Sequence, residues 1–141
     1  MTQLEVAHAN AGLDLIRALT APALTVYEGV LPPNVTALAP PWVLVYTAVD
    51  FPGEDVDNGL DQASLTCVTS WYCYCSGTTS TSALAVTGRV RGALLDVRPT
   101  IAGRVCDRIE QTASEPPRQH EGTGTSVLTA LSIYELRTRP A

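Results

Sequence analysis

The chain contains no lysine, although nine arginines are present. Without lysine there is no Walker A phosphate loop, no Schiff base with pyridoxal phosphate and no lysine general base, so several large enzyme classes are excluded at once. Histidine is nearly missing too: His8 and His120 are the only two, and any histidine-dependent triad must use one of them. His8 falls in a helical pattern and His120 in the polar run Arg118-Gln119-His120-Glu121, where a solvated side chain is expected. No Gly-x-Ser-x-Gly elbow, His-Glu-x-x-His pair or Gly-x-Gly-x-x-Gly fingerprint follows a strand. We therefore expect no catalytic residue, no cofactor and no enzymatic activity.

Long apolar runs are also missing. The longest weakly polar stretch, residues 37 to 49, is interrupted by Pro40-Pro41 and falls short of the about 20 residues a helix needs to cross a bilayer. No cationic residue precedes Arg17 and no unbroken apolar stretch follows, so no secretory signal and no membrane partner are expected, and the chain is expected to stay where it is made. A surplus of positive charge is absent as well, since 14 acidic residues against nine arginines leave a net charge of -5. Nonspecific duplex binding, which neutralises phosphates with many cations, is thus not expected as a main activity.

What is present is a globular composition, 45% hydrophobic and 16% charged over 141 residues, without repeat or linker. A single domain over residues 1–141 is expected. Thr2-Gln3-Leu4-Glu5 fits a capping box, and Leu4, Ala7 or His8, Ala11, Leu15, Ala18 and Leu19 recur at helical spacing, predicting a helix over 3–20 that Gly12 weakens. A short strand follows over 24–28, then a strong one over 42–49, apolar on both faces and expected at the centre of the sheet. Residues 63–75 alternate with a period of two, placing Leu65, Cys67, Trp71, Cys73 and Cys75 on one face. The hydroxyls of residues 78–82 suit a helix cap, and Val86, Val90, Leu94 and Val97 form one stripe of a helix over 82–96 that Pro99 and Gly103 break. Residues 104–112 read as a strand with Val105 and Ile109 on one face, 116–124 as a loop, and 126–137 as a last strand. The order α-β-β-β-α-β-β predicts an α+β fold, an antiparallel or mixed β-sheet of about five strands with two helices packed on one face.

Cys67, Cys73, Cys75 and Cys106 could in number close a tetrahedral zinc site, but their spacing is poor for one, since structural sites use pairs two to four residues apart in tight turns. They are expected to be small buried hydrophobes, with no metal and no disulfide. Asp50, Glu54, Asp55, Asp57 and Asp61 crowd one loop without the regular ligand spacing of an EF-hand. Solvated loop charge is the default there, but such a cluster also suits a passage through which DNA slides without sticking.

An N-terminal helix followed by Leu24-Thr25-Val26-Tyr27-Glu28-Gly29-Val30 and a proline-rich loop resembles the opening of small tail proteins from long-tailed phages of actinobacteria, and so does Pro41-Trp42-Val43-Leu44-Val45-Tyr46. The run Leu95-Asp96-Val97-Arg98-Pro99-Thr100-Ile101-Ala102-Gly103-Arg104-Val105-Cys106, then Pro116-Pro117-Arg118 and Ser132-Ile133-Tyr134-Glu135-Leu136-Arg137, resembles the tail terminator proteins of phages with long non-contractile tails. The resemblance spans nearly the full length, apart from the acidic loop and the Trp71 to Cys75 segment. It implies a structural virion protein at the head-proximal end of the tail, assembled in the host cytoplasm. Such a protein forms a ring, commonly a hexamer, that caps the tail tube, stops tube polymerisation and meets the head-side connector protein. Its expected partners are copies of itself, the tube protein and the connector, with DNA passing through the lumen without specific binding. In such a ring, Asp50, Glu54, Asp55, Asp57 and Asp61 are expected to face the lumen or a neighbour, and Arg89, Arg91, Arg98, Arg104 and Arg108 to meet acids across subunits. A head-closure or neck connector protein is the alternative within the same virion, and a small cytosolic enzyme or ligand-binding domain the distant one.

Overall fold

Hydrophobic periodicity at the N-terminus becomes a helix, α1 (Thr2–Arg17), in a computed structural model that describes residues 2–19, 22, 24–31, 41–51, 66–119 and 127–141. The cap expected between Thr2 and Glu5, Leu65 and His120 lie outside the described residues and side chains. The buried stripe of α1 is His8, Gly12, Leu13 and Ile16, whereas Ala7 and Ala18 of the expected stripe are exposed. The helix is rotated because its flattest point, Gly12, lies against the indole of Trp71.

Seven strands and a second helix follow: β1 (Thr25–Glu28), β2 (Trp42–Asp50), β3 (Cys67–Gly77), α2 (Ser80–Leu94), β4 (Arg104–Cys106), β5 (Glu110–Ser114), β6 (Arg118–Gln119) and β7 (Leu128–Pro140). The sheet order is β1-β2-β3-β7-β4, with β5 and β6 also on β7. It is mixed, as expected: β1 lies parallel to β2, and every other pairing is antiparallel.

Both helices cover one face of this sheet. Leu13 and Ile16 of α1, with Val86, Val90 and Leu94 of α2, pack on Val43, Val45, Trp71, Cys73, Cys75, Tyr134 and Leu136. The expected period of two on β3 holds, with Cys67, Thr69, Trp71, Cys73 and Cys75 all buried. On the opposite face a smaller cluster joins Trp42, Leu44 and Val127 with Tyr27, Leu31 and Tyr74. β2 is buried on both faces only from Trp42 to Val45, the four residues that pair with β1; beyond them Tyr46 is 44% exposed.

α2 begins where the hydroxyl pattern placed a cap. Thr79 accepts from the Ser82 amide while the Ser82 hydroxyl accepts from the Thr79 amide, a reciprocal box that satisfies two otherwise orphaned donors. The helix stops at Leu94, before the expected Asp96, which takes a φ of 63° that the right-handed helix does not allow.

The single strand expected over 104–112 is interrupted. Ile109 donates to Val97 O at 2.8 Å and accepts from Asp96 N at 2.9 Å, so its backbone turns away from β7 and toward the segment after α2. Arg104 faces Pro140, Cys106 faces Thr138, Glu110 faces Glu135, Ser114 faces Ser132 and Arg118 faces Thr129, so every four residues of this outer arm match three on β7. Between Cys106 and Glu110 the extra residue falls where the chain leaves the β7 ladder, and an odd residue there reverses which face the next side chain takes. That is why Val105 is exposed while Ile109 is fully buried, although the two were expected on one face. Within the expected loop at 116–124, Arg118 and Gln119 form β6 against β7.

Candidate assembly interface

Charge is distributed unevenly over this frame. Five of the 14 acids stand between positions 50 and 61, so the remaining nine equal the nine arginines and the net -5 resides in that segment. Asp50 is exposed at the last rung of β2, opposite Val68. Glu54, Asp55, Asp57 and Asp61 lie outside the described residues, on the connection that leaves β2 at that end.

The arginines fall into three groups. Arg17, Arg118, Arg137 and Arg139 form ion pairs within the chain, with Asp14 and Glu28, Glu115, Glu135 and Asp107. Arg89, Arg91, Arg98 and Arg108 have no carboxylate partner among the described residues. Arg89 donates to the carbonyl of Pro22, and Arg108 to that of Asp96 at 3.1 Å. Arg104, expected with them, is only 8% exposed and works inside the fold: its Nε donates to Thr138 Oγ1 at 3.2 Å and its Nη2 to Thr138 O at 3.2 Å, fastening β4 to β7. A buried guanidinium held this way is unavailable to a neighbouring subunit.

Arg104 belongs to a polar joint that sequence reasoning did not find. His8 is fully buried, with Nδ1 2.7 Å from Leu4 O and Nε2 2.7 Å from Thr138 Oγ1. These contacts assign a consistent tautomer in which Nδ1–H donates to Leu4 O, the Thr138 hydroxyl donates to Nε2 and Arg104 donates to the hydroxyl oxygen. Burial pushes the imidazole pKa below its ordinary value, the Leu4 contact opposes that, and the Arg104 cation reinforces it. This neutral imidazole ties α1 to the end of β7; its signal in the sequence was a lone polar residue on an otherwise apolar stripe.

The four cysteines are free and buried. Burial raises every thiol: Cys75 to about 12, Cys73 well above its usual value, and Cys67 and Cys106 upward. A thiol held protonated is neither nucleophile nor metal ligand. No group of three or more His, Cys, Asp or Glu among the described residues gathers to hold a metal ion.

A cavity of about 240 Å³ opens where β3 turns into α2, lined by Pro22, Pro41, Gly77, Ala85, Val86 and Arg89 among others. Its wall is mostly apolar, and the one charged group among its lining residues is Arg89, which donates to Pro22 O. The floor is firm: Ser76 accepts from Trp42 N and donates to Trp42 O, both at 2.7 Å. Beside the cavity, α2 turns outward a surface with Leu84 52% exposed and Gly88 and Gly92 in open space.

No family model and no curated protein matches this chain. Among solved structures, a chain from the virion of a native gene transfer agent particle superposes with a TM-score of 0.63 at 15% identity, over 92% of this chain and 92% of that one. The two share a fold over nearly their whole lengths.

Proposed function

We propose that this chain is a structural virion protein, and specifically a tail terminator: a ring of identical subunits that caps the tail tube, stops its growth and joins the tail to the head-side connector. The observation that carries the reading is the fold shared end to end with a chain of a virion particle. The resemblance of residues 95–106, 116–118 and 132–137 to tail terminators supports the specific role. They map onto the exit from α2 with β4, the start of β6, and the centre of β7, all parts of the long outer arm and its partner strand.

The geometry suits assembly rather than chemistry. Four arginines without carboxylate partners among the described residues and one segment holding the net negative charge are what a heterologous ring contact uses, because a surface on one side of a subunit must complement a different surface on the next. An acidic segment turned to the lumen would also let DNA pass without adhering.

Native mass spectrometry of the purified protein, alone and mixed with tail tubes, tests this reading. A ring, or a monomer that becomes a ring on tube ends, is the expected result. A monomer indifferent to tubes overturns it, and a ring that binds only the connector assigns the chain to head closure instead.

A further inference from the structure

The first turns of α1 hold to the fold at one fully buried residue. Leu4 is half-buried, Glu5, Val6 and Ala7 are exposed, and His8 alone among residues 4–8 is sealed from solvent. Further along, the helix is secured differently: Trp71 Nε1 donates to Ala9 O at 3.1 Å, Gly12 lies flat on the indole, and Leu13 and Ile16 enter the core. The N-terminal end of α1 therefore rests on the polar contacts of one titratable ring, and the C-terminal half on apolar packing that does not titrate.

That ring sits over a particular rung of the sheet. His8 Nε2 is 2.7 Å from Thr138 Oγ1, and Thr138 stands opposite Cys67 where β7 pairs with β3. Residues opposite each other on a rung share a face, so the second turn of α1 lies over Cys67, itself buried. The charged group beside the ring is Arg104 of β4, whose Nε donates to the same Thr138 hydroxyl at 3.2 Å. Two exposed carboxylates, Asp50 of β2 and Glu5 of α1, act on the Cys67 thiol, and His8 bonds neither.

We infer that His8 is a pH-sensitive latch: protonation of its ring frees the first two turns of α1 from β7 and uncovers Cys67, while Gly12 to Arg17 stay seated on the sheet. The neutral ring accepts the Thr138 hydroxyl at Nε2 and donates from Nδ1 to Leu4 O. Protonated, Nε2 only donates, the Thr138 oxygen must accept from both it and Arg104, and a second cation stands beside the buried guanidinium. Release leaves little else behind, because Glu5, Val6 and Ala7 are already exposed, and a helix end opens locally without the rest of the fold. The device belongs to the single chain and does not depend on the ring reading.

Wild type, His8→Gln and His120→Gln are compared between about pH 7.5 and 5.5, above ordinary carboxylate titration. One readout is amide protection along α1. The other is labelling of each cysteine by dithiodipyridine, a disulfide reagent that stays reactive in acid, relative to the same thiol in the unfolded chain. The expected result is a loss of protection at Val6, Ala7 and His8 of up to about ten-fold, the span that one imidazole titrating near 6.5 in the open state provides. Cys67 labelling rises by the same factor, Leu13 to Arg17 keep their protection, and Cys73 and Cys75 stay silent. His8→Gln flattens both profiles and His120→Gln preserves them. A flat wild-type profile overturns the latch, as does protection lost without Cys67 labelling. Equal loosening at Leu13 to Arg17, or labelling of Cys73 and Cys75, means the whole fold opens and overturns it too, and so does a rise that survives in His8→Gln. Should His8→Gln not fold, the titration of the His8 ring followed by NMR in the wild type must coincide with the rise, and a mismatch overturns the inference.

Discussion

Gly12 of α1 lies directly against the indole of Trp71: a Cβ built on Gly12 would stand 2.3 Å from Trp71 Cε2. The same indole donates from Nε1 to Ala9 O at 3.1 Å, so α1 is both seated on and bonded to the centre of β3. The glycine that weakens the helix is what lets it dock. Gly12→Ala is expected to destabilise the fold by about 1–3 kcal/mol, the usual range for overpacking a core, because a ring's flat body cannot give way as a flexible chain end would. Chemical denaturation with Trp fluorescence checks this, and an unchanged midpoint would contradict the packing described.

Gly88 and Gly92 predict the opposite sign. Among the described residues nothing lies within 4 Å of a Cβ at either position, so neither serves close packing against them. Each alanine replacement is expected to stabilise the isolated chain by roughly 0.5–1 kcal/mol, through helix propensity alone. Thermal melts of the single and double variants measure it, and destabilisation would reveal a contact the helix face does not show.

His8 sets a pH dependence. Burial lowers its folded pKa below the ordinary 6.5, so above that value both folded and unfolded states are neutral and stability is flat. As pH falls through 6.5 the unfolded chain takes up a proton that the folded one refuses, and stability drops by up to about 1.4 kcal/mol per pH unit until the native imidazole is also protonated. The proton would fall on Nε2, displacing the Thr138 hydroxyl hydrogen beside the Arg104 cation. Denaturation midpoints between pH 7 and about 5, above ordinary carboxylate titration, read the slope; His8→Gln is expected to flatten it.

The thiols are expected to be silent. With all four cysteines buried and protonated, an aromatic disulfide reagent at neutral pH should label none in the native chain and all four on unfolding. Rapid native labelling of Cys73 or Cys75 would contradict their burial on the helix-covered face.

Segment by segment, the chain spelled out what depends on its own periodicity. The two-residue alternation of Cys67, Trp71, Cys73 and Cys75, the stripe Val86, Val90 and Leu94, and the hydroxyl cap at Thr79 are local patterns, and each stands in the fold as its spacing required. Burial of the cysteines follows equally from their company in such a pattern.

Features that depend on a distant partner could not be read this way. Val105 and Ile109 part company because the chain between β4 and β5 leaves β7 and Ile109 bonds instead to Asp96 and Val97, after α2. Arg104 looked like one more surface cation until Thr138 and His8 closed around it. The cavity joins residues from Pro22 to Arg89, which only the crossing of α2 over the sheet brings together. Periodicity is a property of one segment and its solvent exposure, whereas register, buried polar joints and hollows are set by the packing of segments against one another, and tertiary structure alone decides those.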